Sequence, residues 1–288
     1  MVNSQLENAL ENSLSYNAPV CNDETNNLYL AKHIEKALKD IIDEDMRSEN
    51  PLFIDVKKDF IRKIALKIVS QPNARILLGV SGESASGKST LTAKVLDICI
   101  SEKNKSLSTL INSDNYYKDA SDKLREAGSC EALFASGFNL DEPQAVDLDL
   151  LRKDLVKIKN GEIIFTPEYN FITIESIPNK IRKVPAKIIL TEGLFVLEER
   201  IREILDISIY IHTPEDIIKD RWYKRAGERG KEGKAADLLF AIVNEGAKKY
   251  IRPYAQYADI VISGITDENY IREVAAKINN AIRSCLAD

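Results

Sequence analysis

Apolar residues in the first quarter of the chain recur at helical spacing. Two amphipathic stretches between residues 28 and 70 flank the Asn50-Pro51 pair, which marks a turn. Their apolar stripes are formed by Leu30, Ile34, Leu38 and Ile41, and then by Phe60, Ile64 and Ile68. Residues 1–26 are polar and rich in asparagine. We predict a polar leader over 1–26, mobile or loosely docked, followed by a helical extension over 27–72.

From residue 73 onwards the pattern changes to short apolar runs that alternate with amphipathic stretches. Runs bounded by turn residues are typical of buried parallel strands. They lie at residues 75–81, 108–114, 186–197, 206–213 and 257–263, with helical stretches at 91–100, 147–158, 197–205 and 267–285. This alternation predicts an α/β domain over 73–288, with a parallel sheet covered by helices on both faces.

The segment SGESASGKST, residues 81–90, lies between the first predicted strand and the helix after it. Its spacing, two glycines five positions apart followed by Lys88 and Ser89, is typical of a P-loop, although a glycine-rich turn can also arise by chance. Glycines let successive backbone N–H groups curl around phosphate oxygens, and the helix N-terminus adds its dipole. Lys88 would reach the β- and γ-phosphates, and the Ser89 hydroxyl would ligate Mg²⁺. We predict a P-loop NTPase fold with a nucleotide site formed by Gly82, Glu83, Ser84, Ala85, Ser86, Gly87, Lys88, Ser89 and Thr90.

Two carboxylates follow predicted strands, at the sheet edge where ligands of open α/β folds bind. Asp114 ends the second strand, and Glu192 ends the run 186–192. Asp114 could accept the proton of an attacking hydroxyl, but its position alone favours a turn or helix-cap aspartate. The P-loop and these positions leave hydrolysis, switching and phosphoryl transfer open.

A basic segment near residues 218–236 carries arginines at every fourth position, namely Arg221, Arg225 and Arg229. A charge run of this kind is usually a solvated helix face. Beside a phosphate site it could instead form a mobile lid that stabilises charge during transfer. Helical spacing would place the three side chains on one side of such a lid.

Several motifs in order resemble the uridine kinase and phosphoribulokinase-like family, over residues 75–264. They are GVSGESASGKST, SDNYY, NLDEPQAVDLDLL, NGEIIFTPEYNF, IILTEGLFVL and YADIVIS. The resemblance implies an ATP- and Mg²⁺-dependent kinase that phosphorylates a hydroxyl of a small molecule. It implies Asp114 as the base, Glu192 in the Mg²⁺ shell with Ser89, and an arginine-rich lid over 218–236. It also implies an acceptor pocket that contains Tyr117, Asp141, Tyr169 and Phe171.

The same comparison shows departures in the acceptor region. Uridine kinases carry a histidine for the base where this chain has Ile174, and the family aspartate before Phe171 is Asn170. Leu140 replaces the phenylalanine before Asp141, and the family's Gln-Tyr element after the lid is not found in FAIVNEGAKKYIRP, residues 240–253. Losing a polar partner in a recognition site strongly lowers discrimination between substrates. The acceptor is therefore open between uridine or cytidine and another hydroxylated metabolite. A non-catalytic nucleotide-binding protein is the alternative, and a hydrolytic NTPase is the least favoured.

Composition narrows the range of partners. A net charge of -5 and a pI near 5.4 argue against a nucleic-acid binder. The four cysteines are scattered and only two histidines are present, so no metal-ligand spacing occurs. No signal peptide and no apolar run of about 20 residues is found, which argues against membrane insertion. We expect a cytoplasmic protein with a small-molecule phosphate acceptor, and leave a homo-oligomer open.

Overall fold

The computed structural model describes residues 24–99, 108–228, 230 and 232–287. Most of the predicted leader lies outside these residues, as does Arg229. The described helices are α1 (Glu24–Asp45), α2 (Lys58–Ser70), α3 (Lys88–Cys99), α4 (Ser121–Ala127), α5 (Cys130–Ala135), α6 (Leu148–Lys159), α7 (Glu199–Arg202), α8 (Glu215–Glu228), α9 (Gly233–Gly246) and α10 (Glu268–Ala287). The strands are β1 (Phe53–Val56), β2 (Ile76–Gly82), β3 (Ser108–Asn112), β4 (Ile164–Asn170), β5 (Glu175–Lys183), β6 (Ile188–Glu192), β7 (Ile207–His212) and β8 (Ile260–Ser263).

The main sheet has the strand order β1-β8-β7-β2-β6-β3. Its pairs are parallel except at one edge, where β1 runs antiparallel to β8. The central strands are nearly continuous apolar runs because helices cover both faces of the sheet. The predicted α/β fold is therefore confirmed, with one antiparallel edge strand added.

Two apolar cores lie on the two faces of this sheet. On one face, Leu77 and Ile189 pack with the inner side of α6, whose buried residues are Leu148, Leu151, Leu155 and Ile158. Asp147 caps α6 by accepting a hydrogen bond from the amide of Leu150. On the other face, Val80 and Ile211 pack with apolar residues of α1, α2 and α10.

The predicted helical extension is built into the domain and is not purely helical. Its two helices are separated by β1, which pairs with the edge of β8 and was not predicted. The buried Asp45 carboxylate at the end of α1 links this helix to β1 and to α10. It accepts hydrogen bonds from the amides of Leu52 and Phe53 and from the Tyr270 hydroxyl. Lys67 of α2 also forms an ion pair with Asp206, which precedes β7. These contacts make residues 27–72 part of the sheet and of its second core.

The carboxyl ends of the parallel strands meet at one edge of the sheet. In register, Val80 of β2 lies beside Glu192 of β6, and Glu192 lies beside Asn112 of β3. A separate antiparallel hairpin of β4 and β5 packs near this edge, where the Ser176 amide donates to Asp119. The phosphate cradle, the 3₁₀ turn Ser113–Tyr116 and the hairpin therefore converge at one place.

Candidate active site

The loop between β2 and α3 has the backbone shape of a phosphate cradle. Gly82, Ala85 and Gly87 all have positive φ, at 157°, 65° and 100°. A Cβ at Gly82 would lie 2.8 Å from the carbonyl oxygen of Ile211, so only glycine fits beside β7. The loop is held in place by the Thr213 hydroxyl, which donates to the Ser86 carbonyl at 2.9 Å. The predicted nucleotide site thus has the required local geometry.

Lys88 lies at the centre of the site. Its Nζ donates to the carbonyl oxygens of Gly82 and Glu83, each at 2.8 Å. Burial lowers the pKa of Lys88 to about 8, although the charges of Asp114 and Glu192 act in the opposite direction. The electrostatic coupling shows that the structure brings the cradle lysine close to both strand-end carboxylates.

Glu192 and Ser89 fit a magnesium site. Burial raises the pKa of Glu192, and the nearby positive charge of Lys88 counters that rise. The Glu192 Oε2 atom is buried without a hydrogen-bond partner among the described residues. Mg²⁺ is usually held by one or two protein oxygens together with phosphates and water. The described residues contain no cluster of three or more His, Cys, Asp or Glu that could hold a metal.

Two predicted lid arginines lie on the cradle. Arg221 Nη1 donates to the carbonyl of Gly264 at 3.1 Å and approaches that of Ser86 at 3.5 Å. Arg225 Nη2 donates to the Ser84 hydroxyl at 2.6 Å. Both belong to α8, one turn apart, as the four-residue spacing predicts. The third predicted arginine, Arg229, lies outside the described residues.

Two partly buried carboxylates, Asp114 and Asp141, are coupled electrostatically to Lys88 of the cradle. Burial raises the pKa of Asp114, while the charges of Lys88 and Arg225 act to lower it. Burial also raises the pKa of Asp141 to about 6, again against the charge of Lys88. The Asn112 side chain accepts a hydrogen bond from the Asp114 amide at 2.8 Å, and this bond caps the 3₁₀ turn. A carboxylate pair with raised pKa values beside a buried lysine is typical of a proton-transfer site.

Three aromatic rings form a cluster, and one of them, Tyr117, is coupled to this carboxylate pair. The ring centroids are 5.3 Å apart for Tyr117 and Tyr169, 5.6 Å for Tyr117 and Phe171, and 4.9 Å for Tyr169 and Phe171. Burial, with the charges of Asp114 and Asp141, raises the pKa of Tyr117. The Tyr169 hydroxyl is buried and has no hydrogen-bond partner among the described residues. The structure therefore places Tyr117 near Asp114 and Asp141, and Tyr169 and Phe171 beside Tyr117.

The departures noted in the sequence have structural roles in the hairpin. Ile174 is 1% exposed and belongs to the core, and its carbonyl accepts from the Ala120 amide. Its φ of 53° is unusual for a β-branched residue. The Asn170 side chain accepts hydrogen bonds from the amides of Ile172 and Thr173, so it shapes the turn. Position 174 therefore offers an apolar core side chain rather than a polar group for a base.

Sequence reasoning missed three residues that build the cradle. Thr213 and Gly264 support its backbone, and a Cβ at Gly264 would lie 2.4 Å from the Ser86 carbonyl oxygen. Arg252 binds the Glu83 carboxylate through two hydrogen bonds. The Glu83 side chain, predicted as part of the nucleotide site, is therefore engaged by an arginine. These residues lie more than 120 positions from their partners, and no local pattern in the sequence marks them.

A phosphate cradle at a strand end, with partly buried carboxylates near its lysine, is typical of P-loop proteins that act on nucleotide phosphates. The sequence model of the phosphoribulokinase/uridine kinase family matches residues 77–270. The chain therefore belongs to this family and is an ATP-dependent kinase with a hydroxyl acceptor. This finding favours an enzyme over the non-catalytic binding protein that the sequence left open.

Individual relatives agree with the family assignment. The uridine kinase of Borrelia duttonii (strain Ly) is 35% identical over 191 residues, which cover 65% of this chain and 85% of that protein. The uridine kinase of Chlamydia pneumoniae is 30% identical over 219 residues, covering 73% and 92%. A solved structure described as a candidate fructose transport system kinase from Silicibacter sp. TM1040 has a TM-score of 0.51 at 18% identity, covering 69% of this chain and 95% of that one. It shows similarity of fold alone.

Within the part of the chain that the structure describes, no helix combines the length and apolar character needed to cross a bilayer.

Proposed function

We propose that this kinase transfers the γ-phosphoryl group of ATP to a hydroxyl of a nucleoside, with Asp114 as the base. The observation that carries the proposal is the convergence of Lys88, Asp114 and Asp141, which joins the cradle to the aromatic pocket. Aromatic side chains stack on nucleobases of any kind, and Tyr117, Tyr169 and Phe171 could hold a base in this way. The names of the relatives, uridine kinases, support a nucleoside.

In the proposed reaction, ATP binds along Gly82–Thr90 with Lys88 at its β- and γ-phosphates. Asp114 takes the proton of the acceptor hydroxyl, the acceptor oxygen forms the new bond to the γ-phosphorus, and the bond from that phosphorus to the β–γ bridging oxygen breaks to leave ADP. Ser89 and Glu192 would hold Mg²⁺, which supplies positive charge to the phosphate oxygens. Arg221 and Arg225 stabilise charge on the transferring group. Asp141 accepts a hydrogen bond from a second hydroxyl of the acceptor.

The apolar Ile174 gives the base no hydrogen-bond partner at that position. We therefore expect weak discrimination between bases, because a stacking pocket accepts every flat ring. Uridine, cytidine and purine nucleosides should differ in kcat/KM by less than the several orders of magnitude that a hydrogen-bonding site provides. Strong activity on a sugar phosphate or on a pantothenate-like alcohol, without activity on nucleosides, would show that the acceptor belongs to that class and is not a nucleoside.

The test is a transfer assay with γ-labelled ATP over a panel of nucleosides, sugar phosphates and pantothenate-like alcohols. Asp114→Asn should lower kcat by about 10²–10⁴-fold, the usual contribution of a general base, and should leave ATP binding nearly unchanged. Asp122→Asn is a matched control, because Asp122 is an exposed carboxylate on the neighbouring α4. Label in no acceptor, or full activity of Asp114→Asn, would refute the proposal.

A further inference from the structure

The cradle loop contains a buried carboxylate that the proposed reaction does not use. Glu83 directly follows Gly82, is 7% exposed, and has the same sign of charge as a phosphate group. Its backbone carbonyl accepts from Lys88, so the residue is an integral part of the loop. An uncompensated carboxylate in this place would repel the triphosphate and would itself be costly to bury.

Arg252 compensates this charge with a two-pronged contact. Its Nε donates to Glu83 Oε1 at 2.9 Å, and its Nη2 donates to Glu83 Oε2 at 3.1 Å. A bidentate guanidinium–carboxylate pair is strong and fixes both groups in orientation. Arg252 comes immediately after a π-helical turn, Ala247–Ile251. Such turns are rare and occur frequently at functional sites.

The same guanidinium also holds the helices around the cradle. Nη1 donates to Glu215 at the start of α8, at 3.2 Å, and Nη2 donates to Asn244 near the end of α9, at 2.8 Å. Helix α8 carries Arg221 and Arg225. Arg252 therefore forms hydrogen bonds to three segments, namely the cradle loop, the first residue of α8 and the end of α9.

The end of α9 also contacts the acceptor side. A Cβ at Gly246 would lie 2.8 Å from the Asp141 carbonyl oxygen and 2.9 Å from its Cβ, so this helix packs closely against Asp141. The stretch from Asn244 to Arg252 thus contacts the donor loop through Glu83 and the acceptor loop through Asp141.

We propose that Arg252 is a positioning residue of the donor site, which neutralises Glu83 so that the cradle accepts a triphosphate and ties α8 to the cradle loop. The inference rests on the proposed function, because it takes the loop 82–90 to hold ATP. It assigns to the Glu83–Arg252 pair a role in nucleotide affinity, whereas a merely structural ion pair would affect stability alone.

The test compares ATP and AMP binding by calorimetry in the wild type, Arg252→Gln, Glu83→Gln and the double variant. Arg252→Gln should weaken ATP binding about tenfold and AMP binding less, because repulsion by Glu83 grows with the phosphate charge. Glu83→Gln should bind ATP at least as tightly as the wild type. Adding Glu83→Gln to Arg252→Gln should restore ATP affinity to within about threefold of the wild type, since the repelling charge is then gone.

Lys67→Gln is the matched control, because Lys67 and Asp206 also form a partly buried ion pair, at the other end of β2. It should lower the melting temperature without changing ATP affinity. Should Arg252→Gln fail to fold, Arg252→Lys keeps the charge but loses the two-pronged contact, and it is expected to lose less than about tenfold in ATP affinity.

Three results would overturn the inference about Arg252. They are wild-type ATP affinity in Arg252→Gln, a double variant that binds ATP no better than Arg252→Gln, and an Arg252→Lys variant that loses affinity tenfold or more. A wild-type protein that does not bind ATP would instead refute the proposed function itself. The two failures are therefore distinguishable in one set of measurements.

Discussion

Gly193 follows Glu192 and faces the turn that carries Asp114. A Cβ built at Gly193 would lie 1.6 Å from the Ser113 hydroxyl oxygen and 2.9 Å from the Ser113 Cβ. Real Cβ contacts stay beyond 3.0 Å, so with the Ser113 hydroxyl held in its buried position Gly193→Ala separates the two segments by about 1.4 Å. The φ of 155° adds strain for any side chain. We predict that this single methyl group displaces the proposed base.

A misplacement of about 1 Å at a reacting group can lower turnover by about 10²-fold. We therefore expect kcat of Gly193→Ala to fall about 10²-fold at saturating ATP and acceptor. ATP affinity should change much less, because the cradle lies on β2 and α3. The assay is steady-state phosphoryl transfer to the best acceptor of the panel, with calorimetry for ATP and thermal unfolding to verify the fold.

The Ser113→Ala exchange provides the decisive control. It removes the hydroxyl oxygen, so the separation required in Ser113→Ala/Gly193→Ala falls from about 1.4 Å to about 0.1 Å, with only the contact to Cβ remaining. We expect the double variant to recover much of the lost turnover, though not all, since the strain at φ remains. A Gly193→Ala variant with wild-type kcat, or a double variant no better than the single one, would refute this reasoning.

Three further predictions concern buried polar groups. Asp141→Asn should raise the free energy of unfolding by about 1–3 kcal/mol at pH 8, because the folded pKa of about 6 lies above the ordinary value of an aspartate. This gain should shrink as the pH falls through 6, because the folded wild type takes up its proton at a higher pH than the unfolded chain does. Asp206→Asn should cost about 3 kcal/mol, since the carboxylate accepts from the Leu77 amide and pairs with two lysines; its lowered pKa means that this cost fades below pH 4. Tyr116→Phe should cost about 1–3 kcal/mol by removing the hydroxyl that donates to the buried Asp154. Denaturant unfolding across pH measures all three, and unchanged midpoints would contradict them.

The local sequence pattern was sufficient for much of the fold. Continuous apolar runs identified the central strands, because a strand buried on both faces tolerates few polar residues. The glycine spacing of the loop 82–89 identified the cradle, since its backbone shape depends on residues that are adjacent in the chain. The strand β1 was not predicted. Its four residues have a mixed burial pattern, and they form a strand at the sheet edge by pairing with the distant β8.

In the candidate site, too, some features were predictable from the sequence and others depended on the packing of the folded chain. The motifs predicted Lys88 in the loop after β2, and Asp114 and Glu192 at strand ends, and the parallel register of β2, β6 and β3 then places those ends side by side. The helical period predicted that Arg221 and Arg225 share a face, but only the packing of α8 shows that this face meets the cradle.

Contacts between distant segments were decided by the tertiary structure alone. Nothing near Glu83 in the sequence indicates a partner 169 residues away, and nothing near Gly193 indicates that Ser113 leaves no room for a methyl group. Ile174, which reads in the sequence as a missing polar group, is a core residue of the hairpin. The sequence by itself indicated the central strands, several of the helices and the cradle loop, because those depend on neighbouring residues. The charge balance and close packing of the site depend on distances in space, which only the folded chain defines.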